Sequence, residues 1–501
     1  MKYLVRYSAE MTTKSRVVRT QFCRQLRKNL ARLFRVHLQM ADKAASPHDP
    51  DAMRVESTWD NIQIALPPGR EADAKAVESI LANTPGVWSF NRVLQKPLGS
   101  FDDMLENTLA VYGERLKGKT FVVRCRRVGK HTFNSMDVER YIGGGLRVRS
   151  EAKGVDLHKP DVTVLLEIRD SELFIIDESI DGIGGFPLGT QDSVISLISG
   201  GFDSAVASYL SMKRGLRTHF LFFNLGGHEH EIAVKEVALY LWLKFGASHS
   251  VQFVTVPFEG VVAEILEKID NSMMGVILKR MMLRAATAVA DYLEVEALVT
   301  GESVAQVSSQ TLTNLAVISD VTPKMLLRPL IMTDKQDIVD LARKIGTEEF
   351  SAVIPEYCGV ISVKPTTRAK RHRVEHEEKR FDFAVLEKAV ADRIALDIRT
   401  MTLDESSDGN ASKTDYDLPM GMDAGQVMII DIRHPDDEER KPLSGAPYAI
   451  EKIPFFRLNA RFAQLPADKH FLLYCDKGVM SRLHASHLRE QGHANVGIYQ
   501  R

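Results

Sequence analysis

The amino-acid sequence predicts a multidomain α/β protein, and three observations support this prediction. The chain has 501 residues, whereas single hydrophobic cores stop growing at roughly 250–300 residues. From about residue 179 to residue 400, apolar strand patterns alternate with helices, as in a parallel sheet covered by helices on both faces. A polar stretch without periodicity, residues 401–422, then precedes a smaller α/β unit at residues 423–501. We interpret that stretch as a linker.

The N-terminal part of the chain predicts two α+β modules. Residues 1–72 contain a short strand, a basic helix from Val17 to Phe34 and a second strand from Asn61 to Ala65. Residues 73–178 continue with strands and helices. Basic side chains concentrate in this second module: Arg124, Arg126, Arg127, Lys130, His131, Arg140, Arg147 and Arg149. Closely spaced cations suit contacts with nucleic-acid phosphates, although a solvated basic face has the same pattern.

The composition of the sequence indicates the cellular compartment of the protein and the state of its cysteines. No segment approaches the ~20 continuous apolar residues that span a bilayer, and the N-terminus lacks the apolar core of a signal peptide. We therefore expect a soluble, cytoplasmic protein without membrane contact. The chain has four cysteines and a formal net charge of −1. Four cysteines are too few for a disulfide scaffold in a chain of this length, so any bridge is expected to be transient and catalytic.

The α/β region from residue 179 to residue 400 contains five predicted strands. They are Val194 to Ile198, His219 to Asn224, Val251 to Val256, Ala297 to Thr300 and Met325 to Arg328. A single charged helix, Arg373 to Ile398, is expected to close the region.

A phosphate-binding loop is predicted at Ser199-Gly200-Gly201-Phe202-Asp203-Ser204. It follows a buried strand pattern and begins a helix. The two glycines allow a sharp turn and close approach of backbone to a ligand, and the free amides of the helix start favour an anion. A glycine-rich turn with a capping serine is the structural alternative.

A second stretch, Gly113 to Thr120, has the letters of a Walker A loop. That loop follows a strand and opens a helix, whereas here a helix precedes the motif and a strand follows it. We therefore predict a simple helix-to-strand turn.

The ordered series of motifs resembles the ThiI family of tRNA 4-thiouridine synthases. The loop at Ser199–Ser204 is similar to the PP-loop of N-type ATP pyrophosphatases. The further stretches that carry the resemblance are Gly-Gly-Phe-Pro-Leu-Gly-Thr (184–190), Phe-Phe-Asn-Leu-Gly-Gly (222–227), Met-Gly-Val-Ile-Leu-Lys-Arg-Met-Met (274–282), Thr-Gly-Glu (300–302), Gln-Val-Ser-Ser-Gln-Thr-Leu-Thr-Asn-Leu (306–315) and Pro-Glu-Tyr-Cys-Gly-Val-Ile-Ser (355–362). The resemblance implies a ferredoxin-like domain at 1–72, a THUMP domain at 73–178, a PP-loop domain with a parallel sheet of the adenine-nucleotide α-hydrolase type at 179–400 and a rhodanese-like domain at 423–501.

The same resemblance implies an ATP site. Its expected members are Leu197, Ile198, Ser199, Gly200, Gly201, Asp203, Ser204, Lys279, Gly301 and Gln310. Asp203 is expected to help handle pyrophosphate with Mg²⁺, which needs few protein carboxylates when phosphates supply ligands, so no dedicated metal cluster is expected. Lys335 is expected near the activated uridine. On the residues alone, Asp203 also suits a helix cap, and Lys279 and Lys335 also suit solvated lysines.

Two cysteines suggest sulfur transfer. Cys475 follows a strand pattern and precedes a helix, with Lys477 and Arg482 nearby, and such surroundings favour a thiolate. The resemblance to a rhodanese loop implies that Cys475 carries a persulfide delivered by a cysteine desulfurase. It also implies that Cys358 resolves the reaction, through sulfide release or a Cys358–Cys475 disulfide. Cys23 and Cys125 are expected to be structural.

The function implied by the resemblance is ATP-dependent thiolation of tRNA. The expected RNA-binding residues are Arg126, Arg127, Lys130, His131, Arg140 and Arg147. A second role, sulfur donation to the sulfur-carrier protein of thiamine thiazole synthesis, is implied by the rhodanese-like extension, and a homodimer is a further possibility. Two alternatives stay open: an amide-forming PP-loop ligase, and an RNA-binding sulfur carrier without adenylation activity.

Overall fold

The computed structural model describes residues 1–42, 44, 49, 52–225, 227–354, 364–401, 424–433, 435–462, 464–466, 468–475, 481, 484–485, 488–489 and 492–499. The chain forms two compact units. The first comprises Met1–Gln191, Met212–Leu216 and Ala247–His249, and the second comprises Asp192–Ser211, Arg217–Gly246 and Ser250–Arg501. Among the described helices, each is too short or too polar to cross a membrane.

The first unit is built on one mixed sheet with strand order β2-β3-β1-β4-β8-β7-β5-β6. Its strands are β1 (Lys2–Tyr7), β2 (Arg54–Ser57), β3 (Asn61–Ala65), β4 (Val87–Pro97), β5 (Thr120–Val128), β6 (Gly154–Val155), β7 (Val162–Arg169) and β8 (Glu172–Asp181). Its helices are α1 (Ala9–Thr12), α2 (Arg16–Leu38), α3 (Ala74–Ala82), α4 (Phe101–Leu116) and α5 (Ser135–Arg149). Strand β1 pairs with both β3 and β4. The two expected N-terminal modules therefore share one sheet.

Helix α2 illustrates how the sequence determines this unit. Phe22, Leu26, Leu30 and Phe34 recur every four residues and are buried, because side chains at this spacing lie on one face of a helix. The helix ends where Gln39 adopts a left-handed conformation with φ of 55°. The predicted basic helix is thus confirmed.

The second unit contains a sheet of order β13-β12-β9-β10-β11-β14. Its strands are β9 (Ser193–Leu197), β10 (Arg217–Asn224), β11 (Gln252–Pro257), β12 (Ala297–Val299), β13 (Met325–Leu327) and β14 (Ile394–Asp397). Its helices are α6 (Phe202–Lys213), α7 (Gly227–Leu241), α8 (Glu259–Lys268), α9 (Met274–Tyr292), α10 (Leu312–Ser319), α11 (Lys335–Ile345), α12 (Glu348–Val353), α13 (Arg371–Glu378) and α14 (Phe383–Ala391). The first five strands of this order are parallel, which confirms the predicted parallel sheet.

The predicted single helix from Arg373 to Ile398 is wrong in its extent. The segment forms α13, α14 and the antiparallel edge strand β14, which pairs with β11. Asp382 begins α14 by accepting a hydrogen bond from the Ala384 amide at 3.0 Å. Helical spacing of charged residues does not show that the edge of β11 requires a partner for its backbone groups.

The Walker-like stretch forms the predicted helix-to-strand turn. Helix α4 ends at Leu116 and strand β5 begins at Thr120. Gly118 between them has φ of +67°. The Asp161 carboxylate accepts a hydrogen bond from the Thr120 amide at 2.8 Å, so this backbone group is already occupied.

The C-terminal part of the second unit has a parallel sheet of order β16-β15-β17-β18. Its elements are β15 (Val427–Asp431), α15 (Pro435–Arg440), β16 (Ala449–Lys452), α16 (Phe455–Phe462), β17 (His470–Tyr474) and β18 (Val496–Ile498). At the end of β15, the buried Arg433 Nε donates to Asp431 Oδ1 at 2.8 Å. The predicted linker lies outside the described residues except for Met401.

Candidate active site

The ends of β9, β10 and β12 border a cavity of about 300 Å³. Ligands of open α/β sheets bind at the carboxyl ends of the strands, which is where this cavity lies. Nearly all of the expected nucleotide residues line it: Leu197, Ile198, Ser199, Gly201, Asp203, Ser204, Lys279, Gly301 and Gln310. The structure therefore brings together residues that are as much as 113 positions apart in the chain.

The loop between β9 and α6 turns sharply at Gly200, where φ is +81°. The Ser204 hydroxyl closes the turn: it donates to the Gly201 carbonyl at 3.0 Å and accepts from the Ser199 amide at 3.2 Å. A Cβ at Gly200 would lie 2.5 Å from Ile354 Cδ1. The left-handed backbone is the reason why glycine is favoured here.

Gly301 allows the end of β12 to approach the first turn of α6. A Cβ at this position would lie 2.6 Å from the Asp203 carbonyl carbon and 2.8 Å from the Ser204 nitrogen. Real Cβ atoms do not come so close to backbone. The contact therefore determines how far the helix start projects into the cavity.

Asp203 is held by two side chains from later parts of the sequence. Lys335 Nζ lies 2.7 Å from Asp203 Oδ1, and Gln306 Nε2 donates to Asp203 Oδ2 at 2.7 Å. The Lys335 side chain is 47% exposed, and exposed ion pairs contribute only about 0–1 kcal/mol to stability. The pair therefore serves to place two charges at the phosphate loop rather than to stabilise the fold.

A buried charge cluster includes two residues that line the cavity, Lys279 and Glu302. Glu302 Oε1 is 3.2 Å from Lys279 Nζ, and Arg328 Nε donates to Glu302 Oε2 at 2.7 Å. Burial acts to raise the pKa of Glu302, but Lys279 and Arg328 outweigh it and hold that pKa below its ordinary value. Glu302 is thus ionised and fixes the position of Lys279. Removing one partner of such a buried cluster is strongly destabilising.

Gln310 provides a buried acceptor that faces the cavity. Its Oε1 is buried and, among the described residues, has no hydrogen-bond partner. Buried polar atoms in proteins are nearly always paired, and Gln310 lines the cavity. A ligand N–H or O–H fits this atom.

Sequence reasoning missed several polar residues of the site, among them Glu302, Gln306, Arg328 and Ser351. Glu302 and Gln306 lie within the motifs at residues 300–302 and 306–315. Their membership of these motifs could have identified them as site residues. Arg328 and Ser351 act through partners distant in sequence. Ser351 Oγ, for example, donates to the Gly200 carbonyl at 2.8 Å, and no local pattern indicates that bond.

The Cys475 thiol lies in the C-terminal α/β part, directly after β17. Its Sγ is 3.4 Å from both the amide nitrogen and the hydroxyl oxygen of Ser481, and Ser481 has helical backbone. A backbone N–H of a helical residue therefore points at the cysteine sulfur. Cys358, Lys477 and Arg482 lie outside the described residues.

The other two cysteines have the properties of core residues. Burial raises the pKa of the Cys23 thiol, and burial raises that of Cys125 to about 12. Both therefore stay protonated at neutral pH and are poor nucleophiles.

The expected RNA-contacting residues lie on β5, α5 and the loop between them. Arg126, Lys130, Arg140 and Arg147 are exposed. Arg127 Nη1 lies 2.9 Å from His131 Nδ1, and His131 Nε2 lies 2.6 Å from the Asp170 carbonyl. Arg127 and His131 thus tie the loop to the end of β7, while the other four cations face solvent.

The fold and the site define a class of enzymes in which a PP-loop nucleotide-binding domain is joined to a C-terminal domain that carries a cysteine thiol. Three family models match the chain. They are THUMP domain at residues 99–177, "Thiamine biosynthesis protein (ThiI)" at 189–383 and rhodanese-like domain at 415–501. The chain is 51% identical to the tRNA sulfurtransferase of Pseudomonas aeruginosa strain LESB58 and 50% identical to that of Pseudomonas fluorescens strain Pf0-1, with 100% of both chains covered in each case. The chain therefore belongs to the ThiI family of tRNA sulfurtransferases, which are ATP-dependent transferases.

Two solved structures are similar. A 4-thiouridine synthetase in complex with RNA and bound ATP superposes with a TM-score of 0.67 at 25% identity, over 79% of this chain and 99% of that chain. PH1313 from Pyrococcus horikoshii has a TM-score of 0.52 at 17% identity, over 69% of this chain and 100% of that chain. The second likeness supports the fold alone.

Replacing Gly301 with alanine tests whether its backbone contact positions the nucleotide site. The added Cβ forces the α6 start away from β12, and overpacking of this kind costs about 1–3 kcal/mol. We expect Gly301→Ala to weaken ATP binding at least about tenfold, the factor that corresponds to about 1.4 kcal/mol, as measured by isothermal titration calorimetry. Gly144→Ala is the matched control, since nothing lies within 4 Å of its Cβ position. Unchanged ATP affinity in Gly301→Ala would contradict this role.

Proposed function

We propose that the protein thiolates uridine at position eight of tRNA to give 4-thiouridine, through adenylation of the base and transfer of a persulfide sulfur. The observation that carries the proposal is the cavity at the Ser199–Ser204 loop. It combines amides at a helix start, paired cations and an acceptor, Gln310 Oε1, that has no hydrogen-bond partner within the described part of the chain. The relatives that match this chain over its full length are tRNA sulfurtransferases.

In the activation step, O4 of the uridine attacks the α-phosphorus of ATP. A C4–O–P linkage forms and pyrophosphate leaves. The amides of the loop and the start of α6 bind phosphate oxygens, and Gln310 Oε1 accepts a hydrogen bond from the nucleotide. Lys279, fixed by Glu302, stabilises negative charge on the phosphates, and Lys335 lies at the loop to receive the activated base.

Magnesium is the proposed metal. The charged groups around the loop are Lys279, Arg328, Lys335, Asp203 and Glu302, so three cations and two carboxylates leave one positive charge against a polyanionic triphosphate. Mg²⁺ would supply the missing charge. Asp203 is the carboxylate at the loop that would hold it. Among the described residues no cluster of metal-ligating side chains occurs, and none is needed for a metal that the substrate brings.

In the sulfur step, the outer sulfur of a Cys475 persulfide attacks C4, and AMP leaves with the former O4. The product is a mixed disulfide between Cys475 and the base. The Cys358 thiolate then attacks Cys475 sulfur, which releases 4-thiouridine and forms a Cys358–Cys475 disulfide. A cellular dithiol reduces that disulfide before the next turnover. Release of sulfide from the persulfide by Cys358 is the alternative order.

Further partners follow from this chemistry. A cysteine desulfurase loads Cys475, and the same persulfide serves the adenylated sulfur-carrier protein of thiamine synthesis. The domains at residues 1–72 and 73–178 bind tRNA, with the exposed Arg126, Lys130, Arg140 and Arg147 on its phosphates. A homodimer is compatible with this division of the reaction among the domains.

Two alternative functions fit the residues less well. An amide-forming ligase would not need Cys475, and a sulfur carrier without adenylation activity would not need the charge cluster at Glu302.

Pyrophosphate release tests the activation step. We expect tRNA-dependent release in the wild type and a loss of at least about 100-fold, the usual range for a lost electrostatic contact in an active site, in Asp203→Asn. The control is Asp337→Asn, an exposed carboxylate in the first turn of α11. Release by Asp203→Asn at the wild-type rate, or no tRNA-dependent release by the wild type, would contradict the proposal.

Separate cysteine variants test the sulfur step. Cys475→Ser is expected to abolish persulfide-dependent tRNA thiolation, since it cannot carry sulfur. Cys358→Ser is expected to complete activation but to stall as a covalent protein–tRNA adduct, because the resolving thiol is absent. Denaturing gel electrophoresis of radiolabelled tRNA, with and without added dithiol, detects the adduct. Free 4-thiouridine from Cys358→Ser at the wild-type rate without added dithiol would refute the resolving role, and Cys23→Ser serves as the control.

A further inference from the structure

Helices α7 and α12 of the nucleotide-binding part form an aromatic contact with the C-terminal thiol part. The Phe350 ring on α12 lies 4.4 Å from the Phe455 ring on α16 and 4.9 Å from the Tyr240 ring on α7. Phe350 and Phe455 are 2% and 4% exposed. Aromatic pairs of this kind stabilise an interface beyond the area they bury, by about 0.5–1.5 kcal/mol.

A polar contact lies beside the rings. His484 Nε2 is 2.9 Å from Glu236 Oε1 on α7, and both side chains are buried. The Phe455 ring is 6.0 Å from the His484 ring, so one cluster contains the aromatic and the polar contacts. Buried charged or polar pairs add specificity of position to an apolar contact.

These contact residues are directly connected to the thiol loop. His484 is three positions in the sequence after Ser481, whose amide and hydroxyl contact Cys475 Sγ. The Phe455 amide donates to the Ile432 carbonyl at 2.8 Å, and the Ile432 amide donates to the carbonyl of Tyr474, the residue before Cys475. The cluster is thus linked to residues that adjoin or contact Cys475.

Helix α12 connects the cluster to the nucleotide site. Next to Phe350, Ser351 donates to the Gly200 carbonyl of the phosphate loop, and Ile354 lies against Gly200. The chain then continues to Cys358, four positions after Ile354. One short helix is thus attached to the phosphate loop, the C-terminal part and the segment that carries the second cysteine.

We propose that α7 and α12 are the docking surface for the chain's own C-terminal domain, and that the docked state is the one in which sulfur is transferred. Phe455, His484 and Glu236 are its positioning residues. This inference rests on the proposed function, because it assigns a position to the sulfur donor of that reaction. Docking raises the effective concentration of the Cys475 persulfide at the activated base, beyond what a tether alone supplies.

The test compares two sulfur sources in Phe455→Ala and Glu236→Lys. With a desulfurase and cysteine as source, we expect thiolation of tRNA to fall at least tenfold in both variants. With millimolar sodium sulfide, which does not require Cys475, we expect wild-type rates in both. Mass spectrometry is expected to show Cys475 loaded with sulfur to the wild-type extent. Glu236→Lys leaves the C-terminal domain unmutated, and Ile450→Ala, a partly exposed apolar position on β16, is the matched control.

Three outcomes would overturn the proposal: persulfide-dependent thiolation at the wild-type rate in Glu236→Lys, an equal loss with both sulfur sources, or an equal loss in Ile450→Ala. Failure of the proposed function has a different signature, because the wild type itself would then give no 4-thiouridine from either source.

Discussion

The close approach of β12 to the first turn of α6 is the contact on which the nucleotide site depends. The Gly301 position leaves no space for a Cβ against the Asp203 and Ser204 backbone, so the helix start packs directly against the end of β12. In this position Asp203 comes within reach of Lys335 and Gln306. Displacement of this turn would separate the phosphate-binding amides from every charged group that faces them.

The charged side chains around the cavity determine which ligands it binds. Glu302 compensates Lys279 and Arg328 in a buried position, and Asp203 compensates Lys335 at a more exposed one. Each cation is therefore fixed in place by a carboxylate, but the sum of these five side-chain charges remains positive. Fixed cations stabilise developing negative charge without reorganisation during the reaction. The same carboxylates limit attraction for the triphosphate, and the proposed Mg²⁺ would supply the remaining neutralisation.

The sequence predicted the parts of this protein that depend on local patterns. The strand before Ser199 and the helix after it followed from apolar runs and a glycine pair, and the turn at Gly118 followed from the order of its flanking elements. Such local patterns do not predict contacts between residues that are distant in the sequence. Nothing near Glu302 indicates Arg328, nothing near Gly200 indicates Ser351, and the edge strand Ile394–Asp397 is defined by its partner β11 rather than by its own residues. The roles of Lys279 and Lys335 came from the family resemblance, since an isolated lysine on a helix has no distinctive pattern.

The central claim is that ATP converts the uridine oxygen into a leaving group, and an isotope experiment tests it most directly. tRNA with ¹⁸O at O4 of the target uridine is thiolated by the wild-type protein, and the AMP is analysed by mass spectrometry. Attack of O4 on the α-phosphorus predicts one ¹⁸O atom in each AMP, because the C4–O bond breaks when sulfur enters. AMP without the label, formed together with 4-thiouridine, would contradict the account.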